Sequence, residues 1–266
     1  VEKEKVTVMM GTPTFLRPYF KRAEPHQLAS LKFVVSGAEK TPPGFARRWE
    51  SHFGSRYLEG YGLTETSPVV SVNLPEIPGH PTRIKEGSVG MLFPGMRART
   101  VDPSTREVLP VNTRGMLELQ GANVFRSYLN DAVATEAAFH SGWFITGDLA
   151  RIDQEGYLFI EGRVSRFSKL GGEMVPHGRI EQVIAECFHL EDAEAPLVAV
   201  TGVSDASKGE ALVLLSAVEI KLPTLRERLL ERGIPNLWIP RIILRVDSIP
   251  SLASGKLNLQ ALNDLA

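Results

Sequence analysis

The sequence predicts a mixed α/β architecture in three stretches. Residues 1–86 form the end of a parallel α/β subdomain, residues 87–165 a β-rich, barrel-like subdomain, and residues 166–266 a small α+β domain. Three observations predict this. Short apolar runs alternate with helical patterns at the amino-terminal side, as crossover connections between parallel strands require. From about Gly87 to Gly162 the texture becomes β-rich runs broken by Gly, Pro and Asn, typical of antiparallel hairpins. The remainder reads as helix, strand, strand, helix and strand.

Element by element, VTVMMG (Val6 to Gly11) has the length of a buried strand, and TPTFLRPYFKRA after it reads as a helix. Thr12 is placed to cap that helix and Pro13 is tolerated in its first turn. LKFVVSGAE is a second short strand ending in a glycine turn, PPGFARRWESHF a helix, and RYLEGYG a third strand and turn. GYLFIEGR closes the β-rich part with alternating residues. Downstream, helices are expected over 178–188 and 223–232 and strands over 197–203, 210–220 and 241–246, with the boundary between the last two stretches near 163–169.

Composition narrows the function classes. With 43% apolar and 23% charged residues, the 266-residue chain has the balance of a soluble globular protein. A net charge of −1 gives no global field for nucleic acid or an acidic membrane surface. One cysteine, Cys187, rules out an intramolecular disulfide framework and fits a reducing, cytoplasmic compartment. In CFHLED it closes an amphipathic helix, so it reads as core rather than nucleophile. No apolar run approaches the roughly 20 residues of a membrane helix. The chain opens without Met, directly into a strand-like segment, which reads as entry partway through a larger fold.

The stretch EGYGLTETSPVV concentrates chemical groups at the end of a predicted parallel strand, where open α/β sheets bind ligands. Gly60 and Gly62 permit close backbone approach, Tyr61 offers a flat face, and Thr64 a hydroxyl. Glu65 offers the hard oxygen that Mg²⁺ prefers. Taken alone, the segment reads first as a tight surface turn. Further on, Asp148 in SGWFITGDLARID follows a glycine at the end of a β run, where a carboxylate could hold two ribose hydroxyls or serve as a turn residue. Arg163 stands at the domain boundary, and the pair Gly171 and Gly172 follows it. Lys256 in IPSLASGKLN sits on a Ser-Gly turn, and by itself reads as a solvated lysine in a polar tail.

Read in order, these segments resemble the adenylate-forming superfamily of acyl-CoA synthetases, peptide-synthetase adenylation domains and luciferases. YGLTE resembles its YGxTE motif, WFITGDLARIDQEGYLFIEGR its TGD…GR core, and PSLASGK its carboxyl-terminal SGK motif. GTPTFLRPYF, FVVSGAEK, GGEMV and SDASKGEALVL are, in addition, similar to the synthetase half of bifunctional 2-acylglycerophosphoethanolamine acyltransferase/acyl-acyl-carrier-protein synthetases.

The resemblance implies a two-step ligase. A fatty-acid carboxylate attacks the α-phosphate of Mg-ATP, giving acyl-AMP and pyrophosphate; a phosphopantetheine thiol then takes the acyl group and AMP leaves. It implies that Lys256 neutralises charge growing on the phosphate, that Glu65 holds Mg²⁺ and that Thr64 bonds the phosphate. Tyr61 and Gly62, with the backbone of Gly37, Ala38 and Glu39, would enclose adenine, and Asp148 with Arg163 would hold the ribose. Arg166 would be the hinge of a rotating carboxyl-terminal domain, and Gly171 and Gly172, in a loop over 169–174, would line the pantetheine tunnel.

Two positions depart from the family pattern: Arg166, where Asp or Lys is usual, and Asn258, where Arg or Asp is common. No stretch resembles the family's Ser/Thr/Gly-rich phosphate loop, so the chain reads as the carboxyl-terminal part of a synthetase, not competent alone for ATP activation. The expected acceptor is acyl carrier protein, whose acidity would suit exposed basic residues at 163, 166, 169 and 179. Coenzyme A is the alternative, and a non-catalytic nucleotide- or carrier-binding module the reading from another class. Any membrane association would come through a longer parent protein, at the cytoplasmic face. TVMMGTPTFL carries no Asp to clamp an amino-acid ammonium, which argues against a peptide-synthetase domain.

Overall fold

The computed structural model describes residues 1–76, 79, 83–191, 193, 195–205, 209–252 and 257–266. They form two compact units, Val1–Glu161 and Gly162–Ala266.

In the first unit, strands β1 (Val8–Gly11), β2 (Phe33–Ser36) and β3 (Arg56–Tyr61) pair in parallel. Two short antiparallel strands, β4 (Ser71–Val72) and β5 (Met91–Leu92), extend the sheet. The predicted helix after β1 is broken into α1 (Pro13–Leu16) and α2 (Tyr19–Arg22). Pro18 stands between them; it brings no backbone N–H and disfavours helical geometry in the residue before it. Thr12 does cap α1, its side chain accepting the Phe15 N–H at 3.3 Å. Helix α3 (Phe45–Phe53) buries Phe45, Trp49 and Phe53, spaced four residues apart, in an aromatic core with Leu16, Val34 and Tyr57.

The β-rich part supplies a second sheet in the order β10-β9-β7-β6, with β8 (Phe139–His140) paired to β9. Its strands are β6 (Arg97–Val101), β7 (Gly115–Gln120), β9 (Trp143–Ile152) and β10 (Leu158–Arg163). The connection from β7 to β8 carries helix α4 (Ala132–Ala137), capped by the Asp131 side chain. Within this sheet Glu118 is fully buried, and Arg99 answers its charge at 2.6 Å.

The second unit opens with a hairpin of β11 (Phe167–Leu170) and β12 (Glu173–Pro176). The loop expected over 169–174 is therefore mostly ladder, with Gly171 and Gly172 alone as its turn, at φ of +56° and +90°. Both central residues of a two-residue hairpin turn with positive φ call for glycine. Helix α5 (His177–Phe188) follows, then β13 (Val198–Asp205), β14 (Gly209–Ser216), α6 (Leu222–Glu231), β15 (Ile242–Arg245) and α7 (Leu259–Leu265). Strand β14 pairs antiparallel to β13 and parallel to β15. Ile180, Val183, Ile184 and Cys187 of α5 face Leu225 and Leu229 of α6 in the core. Cys187 thus packs as an apolar residue. Asn258 caps α7, its side-chain oxygen accepting the Ala261 N–H at 3.2 Å, a role to which Asn is well suited. Among the described residues, no helix is long and apolar enough to cross a membrane.

Candidate active site

The carboxyl ends of β2 and β3 lie side by side, because the two strands are parallel and registered with Ser36 opposite Glu59. Gly37 and Gly60 therefore meet backbone to backbone. A Cβ on Gly37 would come within 3.1 Å of the Gly60 carbonyl oxygen, and one on Gly60 within 3.1 Å of the Ser71 carbonyl oxygen. Ala38 adopts φ of +65°, and the Glu39 carboxylate accepts the Thr14 backbone N–H at 3.2 Å. Glu59 is half-buried; burial raises its pKa, while the Thr41 hydroxyl and Lys40 oppose that rise.

Tyr61 ends β3, and its hydroxyl donates to Asp148 Oδ2 at 2.5 Å. Asp148 is on β9, 3% exposed, and its own N–H donates to Thr146 Oγ1 at 3.0 Å. The flat ring and the carboxylate, 87 residues apart in sequence, form one feature. Gly62 is required for space: a Cβ there would overlap the Pro68 carbonyl oxygen. The following turn, Thr64–Thr66, is 3₁₀-helical, with Thr64 exposed and Glu65 half-buried. Buried Thr66 closes it, its Oγ1 accepting the Leu63 N–H at 3.0 Å.

Three residues that the sequence reading missed hold this turn from outside. Asn123 Nδ2 donates to the carbonyls of Thr66 and Val69 at 2.7 and 2.9 Å. The Phe125 N–H donates to the Glu65 carbonyl at 2.7 Å, and the Tyr128 hydroxyl donates to Glu65 Oε1 at 2.9 Å. Their hydrogen bonds to the turn span 54 to 63 residues, so no local pattern in the sequence marks them.

The structure thus brings Gly37, Ala38, Glu39, Tyr61, Gly62, Thr64, Glu65 and Asp148 together in the first unit. Arg163, Arg166, Gly171 and Gly172 belong to the second unit, and Lys256 lies outside the described residues. Arg163 is exposed before a short 3₁₀ turn, Val164–Arg166. Arg166 does not face solvent freely. It donates to the Val200 carbonyl at 3.0 Å and to Glu181 Oε2 at 2.5 Å, and the other Glu181 oxygen accepts the Val200 N–H. Next to it, Ser168 Oγ and His177 Nε2 lie 2.9 Å apart, 1% and 3% exposed, too enclosed to serve as a hydrolytic pair. Burial, with a smaller contribution from Arg166, lowers the His177 pKa to about 3.

These groups fit a magnesium nucleotide. Among the described residues no three His, Cys, Asp or Glu side chains converge as an all-protein metal cage. Mg²⁺ bound through substrate phosphates needs only one or two carboxylates, and Glu65, within the turn, is one.

Residues 1–129 match the family model described as AMP-binding enzyme. A long-chain-fatty-acid–CoA ligase of Escherichia coli O6:H1 is 32% identical over 270 residues, covering 99% of this chain and 46% of that protein. An indoleacetate–CoA ligase of Aromatoleum aromaticum is 31% identical over 96% of this chain and 49% of its own length. Among solved structures, ATP-bound MatB from Rhodopseudomonas palustris is 30% identical, with a TM-score of 0.79 over 98% of this chain and 51% of that one. MenE from Bacillus subtilis, in complex with ATP and magnesium ion, is 26% identical with a TM-score of 0.78, over 98% of this chain and 52% of its own. The chain spans about half the length of the relatives it matches.

Proposed function

Because this chain belongs to the adenylate-forming superfamily of AMP-binding enzymes, we propose that it is part of a ligase that activates a long-chain fatty acid as acyl-AMP and passes the acyl group to a phosphopantetheine thiol. The observation that carries the reading is the joining of Tyr61 to Asp148 beside the Gly37–Gly60 backbone and the Glu65 turn. A purine needs a face to stack on, a ribose diol needs a carboxylate, and a triphosphate needs a metal-binding carboxylate. Tyr61 ends β3, Glu65 lies in the turn that follows, and Asp148 meets the tyrosine from within β9 of the other sheet.

In the first step a carboxylate oxygen of the fatty acid forms a bond to the α-phosphorus, and the bond to pyrophosphate breaks. Tyr61 and the 37–39 backbone hold the ring, and Asp148 accepts from the ribose hydroxyls. Glu65 would hold Mg²⁺, which offsets phosphate charge when bound, with Thr64 bonding the phosphate. Lys256 supplies the remaining positive charge between carboxylate and phosphate. Val8, Met10 and Phe15 carry exposed apolar surface around β1, which suits an alkyl chain. In the second step the thiolate attacks the acyl carbonyl and AMP leaves. The Gly171–Gly172 turn lines the path of the pantetheine arm, and the backbone at Arg166 acts as the hinge.

Acyl carrier protein is the acceptor we favour, on the similarity of GGEMV and SDASKGEAL and on the exposure of Arg163, Lys169 and Arg179 toward an acidic partner. Arg166, paired with Glu181, does not contribute to that face. The names of the relatives support coenzyme A as the second reading. Premade palmitoyl-adenylate supplied to the chain with holo acyl carrier protein or coenzyme A, followed by intact mass, tests both. Palmitoyl carrier protein above the uncatalysed rate is the expected result. Palmitoyl-CoA alone selects the second reading, and acylation of neither thiol sinks the thioester step for this chain.

A further inference from the structure

Glu65 is held at two points by one distant segment. Its main-chain carbonyl accepts from the Phe125 N–H, and its carboxylate oxygen Oε1 accepts from the Tyr128 hydroxyl. Neighbouring carbonyls of the same turn, on Thr66 and Val69, are taken by the Asn123 amide. Four hydrogen bonds therefore run from residues 123–128 to residues 65–69, and only the one from Tyr128 reaches the functional carboxylate. The segment is itself fixed. The Phe125 ring packs against Phe139 and Phe144 of the β-sheet core at 5.3 and 5.4 Å, and the Tyr128 ring lies 4.7 Å from Phe125. On its other side the Tyr128 N–H donates to Thr135 Oγ1 at 3.0 Å, and Thr135 donates to the Asp131 carbonyl at 2.7 Å.

The phenol is thus carried on a braced backbone and a packed ring, and it contacts one of two carboxylate oxygens. We propose that Tyr128 is a positioning residue for Glu65: its hydroxyl occupies Oε1 and fixes the carboxylate plane, so that the second oxygen is presented to a divalent cation carried by the nucleotide. The inference rests on the reading of Glu65 as the metal carboxylate. The geometry follows a general pattern in which ligating carboxylates are oriented by hydrogen bonds from an outer layer.

The test is binding of manganese, a spectroscopic substitute for magnesium, to the chain in the presence of ATP. Free Mn²⁺ is followed by electron paramagnetic resonance for the parent, Tyr128→Phe, Glu65→Gln and the double variant. Tyr128→Phe keeps the ring against Phe125 and removes only the donor. It is expected to weaken Mn²⁺ binding about 10-fold, to leave the affinity for ATP measured in excess chelator unchanged, and to have no further effect when Glu65 is already Gln. Loss in Glu65→Gln with Tyr128→Phe within twofold of the parent overturns the inference and leaves the metal reading standing. An unchanged Glu65→Gln overturns the metal reading, and the inference with it. Equal additive losses in both backgrounds overturn the coupling between the two residues.

Discussion

Gly62, in the first unit, and Gly172, in the second, each sit in a turn assigned to ligand handling, yet they answer different demands. Gly62 is glycine because space is missing: a side chain there would occupy the Pro68 carbonyl. Gly172 is glycine because of its dihedral, φ of +90°, and nothing lies within 4 Å of where a Cβ would be. The first turn is packed shut by the segments around it, with Asn123, Phe125 and Tyr128 bonded to it from far along the chain. The second is an exposed tip whose order comes from below, through the buried Ser168–His177 contact and the Arg166–Glu181 pair. A turn proposed to hold a nucleotide is walled in by long-range contacts, whereas a turn proposed to admit a thiol arm is left open and fixed only at its base.

The largest expected effect is on the packed side. Gly62→Ala forces backbone displacement and should destabilise the first unit by about 3 kcal/mol, lowering its thermal midpoint by roughly 10 °C. Differential scanning calorimetry checks it, and a midpoint unchanged within a degree or two would remove the space argument.

The next effect sharpens the account of the second unit. His177 is 3% exposed, and its pKa drops from the ordinary 6.5 to about 3. The unfolded chain therefore takes up this proton near pH 6.5, the folded one only near pH 3. The contribution is complete above pH 6.5 and is lost as pH falls through that window, by about 2 kcal/mol between pH 7 and pH 5. Urea midpoints at those two pH values should separate in the parent and separate less in His177→Gln; equal pH dependence in the two proteins would mean that His177 is not the buried neutral base described.

The smallest effect is at the open tip. Gly172→Ala has space but an unfavourable φ, and should cost about 1 kcal/mol, with Gly172→Asn recovering part of it. If alanine here costs as much as at Gly62, the contrast between crowding and dihedral strain collapses.

Much of the fold was readable because its signals are local. Strands β1 to β3 and helix α3 follow from apolar runs, and α5 and α6 from the spacing of residues such as Ile180, Val183, Ile184 and Cys187. The single helix expected after β1 failed at Pro18, where the missing N–H outweighed the apolar pattern around it. The loop expected over 169–174 is a hairpin, because two adjacent glycines turn the chain in the fewest residues and leave the rest free to pair. Of the candidate site, Tyr61, Glu65 and Asp148 could be named from their motifs. What the motifs do not contain is how those groups are held. The Tyr61–Asp148 bond spans 87 residues and the Tyr128–Glu65 bond 63, and neither leaves a trace in local periodicity or composition. Lys256 remains an assignment from its motif, since it lies outside the described residues.

The burial of Cys187 on the core-facing side of α5 has a practical consequence for labelling chemistry. It is the sole thiol of the chain, and its place among Ile184, Val183 and Leu229 shields it from aqueous maleimides while the fold is intact. A cysteine introduced at an exposed position such as Arg179 would be the fast-reacting sulfur, so a dye or spin probe could be attached there without first removing the native one. The same core then becomes its own sentinel: delayed modification of Cys187 during a denaturant ramp would time the opening of the second unit independently of the first.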